Sequence, residues 1–429
     1  MDAEHAHTTP RPVPLSLGAT VTTRGPAAQL GAIRTTGGPR PTAPSHEQGL
    51  AYDADRNREP GGALGTDAAR DPRAPQRDPR ADRLLGAPQE GGLRDRFGRV
   101  ATDLRVSVID KCNLRCTYCM PADGMPWLPQ SQLMSTDEIR RIVRVAVQSL
   151  GAEELRITGG EPLVRKDLEF IIAGIRADNP DLPISLTTNA VGLDRRAQAL
   201  KDAGLDRINV SLDTLHPETF AELTRRPHLD KVLAGLQAAR AAGLGPIKIN
   251  AVLLRGINDT EVVPLVDWAV SNGFEMRFIE DMPLDGDRSW SATNVIPARD
   301  IRAAIEEAFT LTADPRGRGA APAERWEVRR PGDPALAGHV GIISSVTEPF
   351  CAACSRTRVT ADGRIRSCLF SHEETDLLTA LRDGADDAGL AQIWRDAMWA
   401  KPRAHGSDRV GLARADFVQP ERTMSAIGG

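Results

Sequence analysis

At 429 residues the chain has room for one large domain with an extension, or for two domains. Its net charge of -4 gives no global attraction for nucleic acid or an acidic membrane, so any anionic ligand has to be held by local clusters of Arg and Lys. No apolar run approaches the length that spans a bilayer, and the first residues lack the compact apolar core of a secretory signal. All six cysteines fall after residue 111 in two groups of three, which suits metal ligation better than disulfide pairing and points to a reducing cytoplasm.

Residues 1–98 are rich in Pro, Gly, Ala, Arg and Asp, with almost no aromatic or β-branched periodicity. Such a stretch cannot bury enough apolar surface to offset its ordering entropy, which predicts a disordered tail. From Asp103 the texture changes. Strands are expected at 104–109, 154–158, 184–188, 207–212, 247–253 and 274–279, with helices at 136–150, 167–177, 194–203, 230–242 and 260–272. Ser135 or Thr136 can cap the first helix, and Gly151, Gly204, Gly243 and Gly273 stand where helices end. Six β-α units joined by crossovers predict an α/β fold with a parallel sheet. A closed eight-unit barrel would need more chain than remains before Pro297. A partial six-unit TIM-like barrel over 99–312 is therefore expected, with function at the carboxyl ends of its strands. A helix near 298–308 and a Gly/Pro/Arg-rich linker at 313–324 lead into an α+β extension over 313–429, with short strands at 326–330, 340–346, 357–360 and 364–367 and then helices.

The first cysteine group, Cys112, Cys116 and Cys119, follows the first strand directly in the spacing C-x-x-x-C-x-x-C. Thiolates so spaced on a loop can converge on one metal centre. Three is one fewer than a closed zinc site or a fully ligated cubane takes, so a cubane there keeps one open iron; a zinc knuckle or redox pair is the plainer alternative. Gly159-Gly160-Glu161-Pro162 follows the second strand, where two glycines let backbone approach a ligand closely and Glu161 can meet an ammonium. Later strand ends offer Thr187, Asn189, Ser211, Asp213, Lys248, Asn250, Arg277, Glu280 and Met282. Arg105 and Arg156 lie inside strands, and a buried arginine wants either an anion or an ordinary carboxylate partner. The second group is Cys351, Cys354 and Cys368, and His372 beyond it could complete a Cys₃His zinc site. Arg356 and Arg358 alternate on a strand and so share one face, a phosphate site or a solvated stripe.

Together, the strand around Arg105, the CNLRCTYCMP loop, RITGGEPL, LTTN, RINVSLD, MRFIEDM, FCAACSRTR, CLF and the closing Gly428-Gly429 resemble the GTP 3′,8-cyclase branch of the radical S-adenosylmethionine (SAM) superfamily, from about Asp103 onward. The resemblance implies an enzyme that cleaves SAM to methionine and a 5′-deoxyadenosyl radical, removes the ribose 3′ hydrogen of GTP and closes the sugar onto carbon 8 of guanine. It further implies that Cys112, Cys116 and Cys119 bind one 4Fe–4S cluster and Cys351, Cys354 and Cys368 a second. Tyr118, Gly160, Ser211 and Met282 would contact SAM. Arg105, Arg156, Thr187, Lys248, Arg277, Arg356, Thr357 and Arg358 would surround GTP, and Gly428 and Gly429 would reach the reacting centre. An external electron donor, a downstream cyclic pyranopterin monophosphate synthase, a monomer or homodimer, and no nucleic-acid or membrane partner complete the expectation. One departure is Ala190, where the family commonly has Gly after Thr-Thr-Asn, which puts the local turn in question.

Overall fold

The computed structural model describes residues 84–412, 414 and 416–428. Six parallel strands, β1 (Asp103–Ser107), β2 (Glu154–Thr158), β3 (Ile184–Thr188), β4 (Arg207–Ser211), β5 (Lys248–Leu253) and β6 (Glu275–Glu280), pair in sequence order, all within a residue or two of expectation. The helices that cover them are α1 (Thr136–Gln148), α2 (Leu168–Asp178), α3 (Ala197–Asp202), α4 (Pro217–Thr224), α5 (Leu229–Ala241) and α6 (Val262–Ser271). Helix α1 starts where the sequence says it should. The Ser135 side chain accepts from the Glu138 amide while the Glu138 carboxylate takes the Ser135 amide, a capping box. Helix α4 is absent from the periodicity reading because it is short. Its signal is Pro217 at the first helical position.

The extension continues the same sheet. After α7 (Ala298–Glu306) come β7 (Thr310–Ala313), β8 (Glu324–Arg329), β9 (Leu336–Ile343), β10 (Arg356–Val359), β11 (Arg364–Arg366) and β12 (Thr375–Asp376). Strand β9 pairs parallel with β6, and β10 pairs parallel with β1, so the extension adds one parallel strand at each edge of the six. The order across all twelve is β12-β11-β10-β1-β2-β3-β4-β5-β6-β9-β8-β7, an open barrel. Helices α8 (Leu378–Arg382), α9 (Asp387–Trp399) and α10 (Met424–Ile427) follow. Strand β7 starts before the expected linker, and its pairing with β8 rather than its own composition makes it a strand.

The expected disordered tail lies mostly in 1–83, outside the described residues. Its last part is corrected by the structure: Leu93 is fully buried and Asp95 accepts from the amides of Phe97 and Arg99. Arg99 then bridges Asp95 (2.5 Å) to the carbonyls of Cys351 (2.9 Å), Pro402 (2.7 Å) and Arg403 (2.7 Å). Composition cannot reveal one buried leucine and one clamp arginine inside a polar stretch.

Candidate active site

Strand β1 delivers the first cysteine loop to the carboxyl end of the barrel, where two elements hold it. The Gly160 amide donates to the Ile109 carbonyl (2.8 Å) and the Glu161 amide to the Lys111 carbonyl (2.8 Å). A Cβ on Gly160 would fall 2.3 Å from the Asp110 carbonyl and 2.4 Å from that of Lys111, so here the glycine admits the loop's own backbone. From the other side, the last carbonyls of α4 take the amides of Arg115 (2.9 Å) and Thr117 (3.0 Å). The Leu114 amide donates to Cys112 Sγ at 3.4 Å.

Burial, then the charge of Glu161, pushes the Cys112 thiol up to about 11; burial, then Cys112, pushes Cys119 up to about 12. Thiols so placed give up their protons to a cationic centre, which is the donor chemistry an iron–sulfur cluster uses. Ser425, on the short helix α10, faces Cys119 and moderates that rise. Gly428 lies against Ser107 and Thr158 at the ends of β1 and β2, whose buried hydroxyls have no hydrogen-bond partner among the described residues. Gly429 lies outside the described residues.

This end of the cavity is acidic. Glu161 accepts from Thr188 Oγ1 (2.7 Å) and from the amides of Leu163 (2.9 Å) and Asn189 (2.6 Å). Asp213 accepts from the Tyr118 hydroxyl (2.8 Å) and the Val252 amide (2.8 Å). Burial raises Glu161 to about 7 and Asp213 to about 6; burial and then Asp285 raise Asp281 to about 7.

The opposite wall is basic. Arg358, Arg105 and Arg156 stand side by side in register on β10, β1 and β2, with Asp103 one step back. All three guanidinium Nε atoms are buried without a hydrogen-bond partner among the described residues. Burial and mutual repulsion push Arg156 and Arg358 down. A guanidinium keeps its proton in proteins, so the cost is relieved by an anion. Burial would raise Asp103, but Arg105, Arg156, Arg356 and Arg358 hold it below the usual carboxylate range. One carboxylate cannot neutralise four arginines, and the donor set fits a polyphosphate. Arg277 pairs with Glu275 at 2.7 Å.

At the far side lie Cys351, Cys354 and Cys368. Cys354 receives Arg356 (3.2 Å) and Lys401 (3.4 Å) on its sulfur. Burial alone would raise this thiol, but Arg356 and Lys401 bring it down to about 5. His372 does not join the triad. Its exposed ring meets the Val418 carbonyl at 3.1 Å, which removes the Cys₃His zinc alternative. Among the described residues no three His, Cys, Asp or Glu side chains close on a single ion-sized point, whereas a cubane takes its thiolates at separate corners.

One cavity of about 300 Å³ joins both cysteine groups. Of the expected site residues, Arg105, Tyr118, Arg156, Gly160, Thr187, Ser211, Arg277, Met282, Arg356, Arg358 and all six cysteines line it. Three others do not. Thr357 is a correction: strand alternation turns it away from its arginine neighbours, and its Oγ1 accepts from Trp394 on α9 at 2.9 Å. Lys248 starts β5 level with Glu275, and burial followed by Arg277 brings it down to about 8. Gly428 sits behind the lining, against β1 and β2. Asp281, Lys401 and Arg99 were not read from the sequence; a lysine at a helix end and an arginine in a polar stretch look like solvated charges.

Residues 106–269 match the Radical SAM superfamily and residues 274–407 the Molybdenum Cofactor Synthesis C family, so the barrel and its cysteine loop are those of a radical SAM protein. Among curated relatives, a GTP 3′,8-cyclase of Paenarthrobacter nicotinovorans is 62% identical over 344 residues, 79% of this chain and 97% of the relative. Those of Corynebacterium glutamicum (strain ATCC 13032) and Streptomyces coelicolor are 53% and 54% identical, covering 79% and 80% of this chain and 89% and 98% of theirs. The chain belongs to the GTP 3′,8-cyclase family.

Proposed function

We infer that this chain is a radical SAM GTP 3′,8-cyclase, converting GTP to (8S)-3′,8-cyclo-7,8-dihydroguanosine 5′-triphosphate with cleavage of SAM, an early step of molybdopterin cofactor biosynthesis. Its cofactors are two 4Fe–4S clusters and SAM. The observation that carries the reading is the polarity of the cavity: a cysteine triad among buried acids at one end, and a row of three buried arginines sharing one carboxylate beside a second triad at the other.

In this reading Cys112, Cys116 and Cys119 hold the first cluster and Cys351, Cys354 and Cys368 the second. Bound there, the first cluster and SAM would supply the radical chemistry at the ribose 3′ position. The acidic end, with Tyr118 fixed by Asp213, receives the cationic SAM. The row Arg358-Arg105-Arg156, with Arg277 and Arg356, grips the triphosphate and orients the ribose toward SAM. Gly428 backs the cavity wall at the ends of β1 and β2. An external low-potential electron donor and the next enzyme of the pathway are the partners in this reading. A cytoplasmic setting accords with six free cysteines; among the described residues no helix is long and apolar enough to cross a membrane.

The test is anaerobic reconstitution with SAM, GTP and dithionite. The expected result is 5′-deoxyadenosine and a cyclised guanine nucleotide from protein holding about eight irons per chain. Cleavage of SAM with no change in GTP would overturn the substrate assignment.

A further inference from the structure

Lys401 follows α9, and its side chain is only 2% exposed. Its ammonium has three contacts: the Arg356 carbonyl at 2.8 Å, the Cys354 carbonyl at 3.5 Å and Cys354 Sγ at 3.4 Å. Among the described residues no carboxylate pairs with it. Other buried cations nearby have partners or a task. Arg99 is neutralised by Asp95, and Arg356 lines the cavity. An ammonium taken out of water is costly unless negative charge faces it, and the acidic group against Lys401 is the Cys354 sulfur, which Arg356 also contacts, so two cations converge on one sulfur and leave room for further negative charge there. The same short segment also brings the His405 amide beside Cys351. Residues 401–405 thus wrap two of the three cysteines of the second triad.

We propose that Lys401 is the resident counter-cation of the second 4Fe–4S cluster, acting through Cys354 to raise that cluster's reduction potential. The proposal rests on the reading that Cys351, Cys354 and Cys368 hold this cluster. A cluster's potential follows its net charge and the hydrogen bonds to its sulfurs. Reduction adds one negative charge, and a fixed ammonium 3.4 Å from a ligand sulfur favours the more negative state. Lys401 does not touch the reacting atoms in this assignment; it is a positioning residue. A purely structural role, tying α9 to the Arg356 carbonyl, would leave the potential where it is.

The experiment uses the full-length chain with Cys112, Cys116 and Cys119 all changed to Ala, so that only the second cluster forms. That parent is compared with K401M and K401R by iron content and by EPR-monitored redox titration. About four irons per chain in the parent tests the cluster assignment on its own. With that met, K401M should have a lower midpoint than the parent, by at least tenfold in the one-electron equilibrium constant (about 59 mV), and K401R a midpoint near the parent's. Equal midpoints in parent and K401M would overturn the proposal. Should K401M not retain its cluster, K401R decides: a cluster retained at the parent's potential supports a charge role, and a lost one overturns it.

Discussion

Arg358, Arg105 and Arg156 illustrate what a residue is worth once its neighbours are known. Each is an unremarkable arginine in the sequence, where an acidic partner is the ordinary expectation. In the fold they stand in one row and share a single carboxylate, Asp103. A hydrogen bond to a charged group contributes about 1.5–3 kcal/mol. R358M should therefore raise KM for GTP by roughly 10- to 100-fold. Cleavage of SAM should persist, so 5′-deoxyadenosine would exceed cyclised product; a normal KM with tight coupling would remove Arg358 from the triphosphate site. Ala190 is a second case. The sequence marks it only as an alanine in a glycine's place, and the structure gives it a φ of +61°. The left-handed conformation costs a non-glycine residue about 1–2 kcal/mol, and glycine loses about 0.5–1 kcal/mol of that advantage to chain entropy. A190G is accordingly expected to stabilise the chain by up to about 1 kcal/mol in urea unfolding. A loss of stability would mean that its Cβ packing outweighs the strain.

At the scale of elements, the six barrel strands were legible because each is a short apolar run bounded by turn residues. Their carboxyl ends were legible with them, which is why most expected site residues reach one cavity. What composition could not show was which face each residue takes. Thr357 was grouped with its arginine neighbours by motif, yet period-two alternation sends it to Trp394. Helix α4 was missed, although its last carbonyls anchor the cysteine loop. The glycine pair lines the cavity, and its missing side chains also admit the loop's own backbone. G160A tests this directly. A Cβ would sit 2.3 Å from the Asp110 carbonyl, so the loop must shift. Iron should fall from about eight to about four per chain, with the second cluster's EPR signal retained. A full complement of iron in G160A would show that the loop accommodates the methyl group.

Across the whole molecule, the cavity is polarised, and pH should expose its acidic end. Burial raises Asp213 to about 6 and Glu161 to about 7, and burial with Asp285 raises Asp281 to about 7. The unfolded chain releases these protons near pH 4 while the folded one keeps them, so the native state binds more protons between those limits. Their stability contribution is fully present below pH 4 and is lost as pH rises through 6 to 7. Each group changes stability on the order of 1.4 kcal/mol per pH unit inside its window. Urea midpoints of the ligand-free chain should decline from pH 5 to 7, less steeply for E161Q. Identical slopes would mean that Glu161 is ionised throughout. A salt-bridge strap completes the molecule: Arg422 joins Asp362 (2.7 Å) and Glu374 (2.9 Å) just before α10.

The unbroken sheet has a consequence for dissecting this chain. Because β10 zips onto β1 and β9 onto β6, neither half has a natural seam. Excising the barrel at residue 312 would bare two lengthwise rows of backbone donors and acceptors at once, the kind of margin along which chains stick to their own copies. A fragment cut there would be prone to stack into aggregates, so its failure to act would say nothing about radical chemistry.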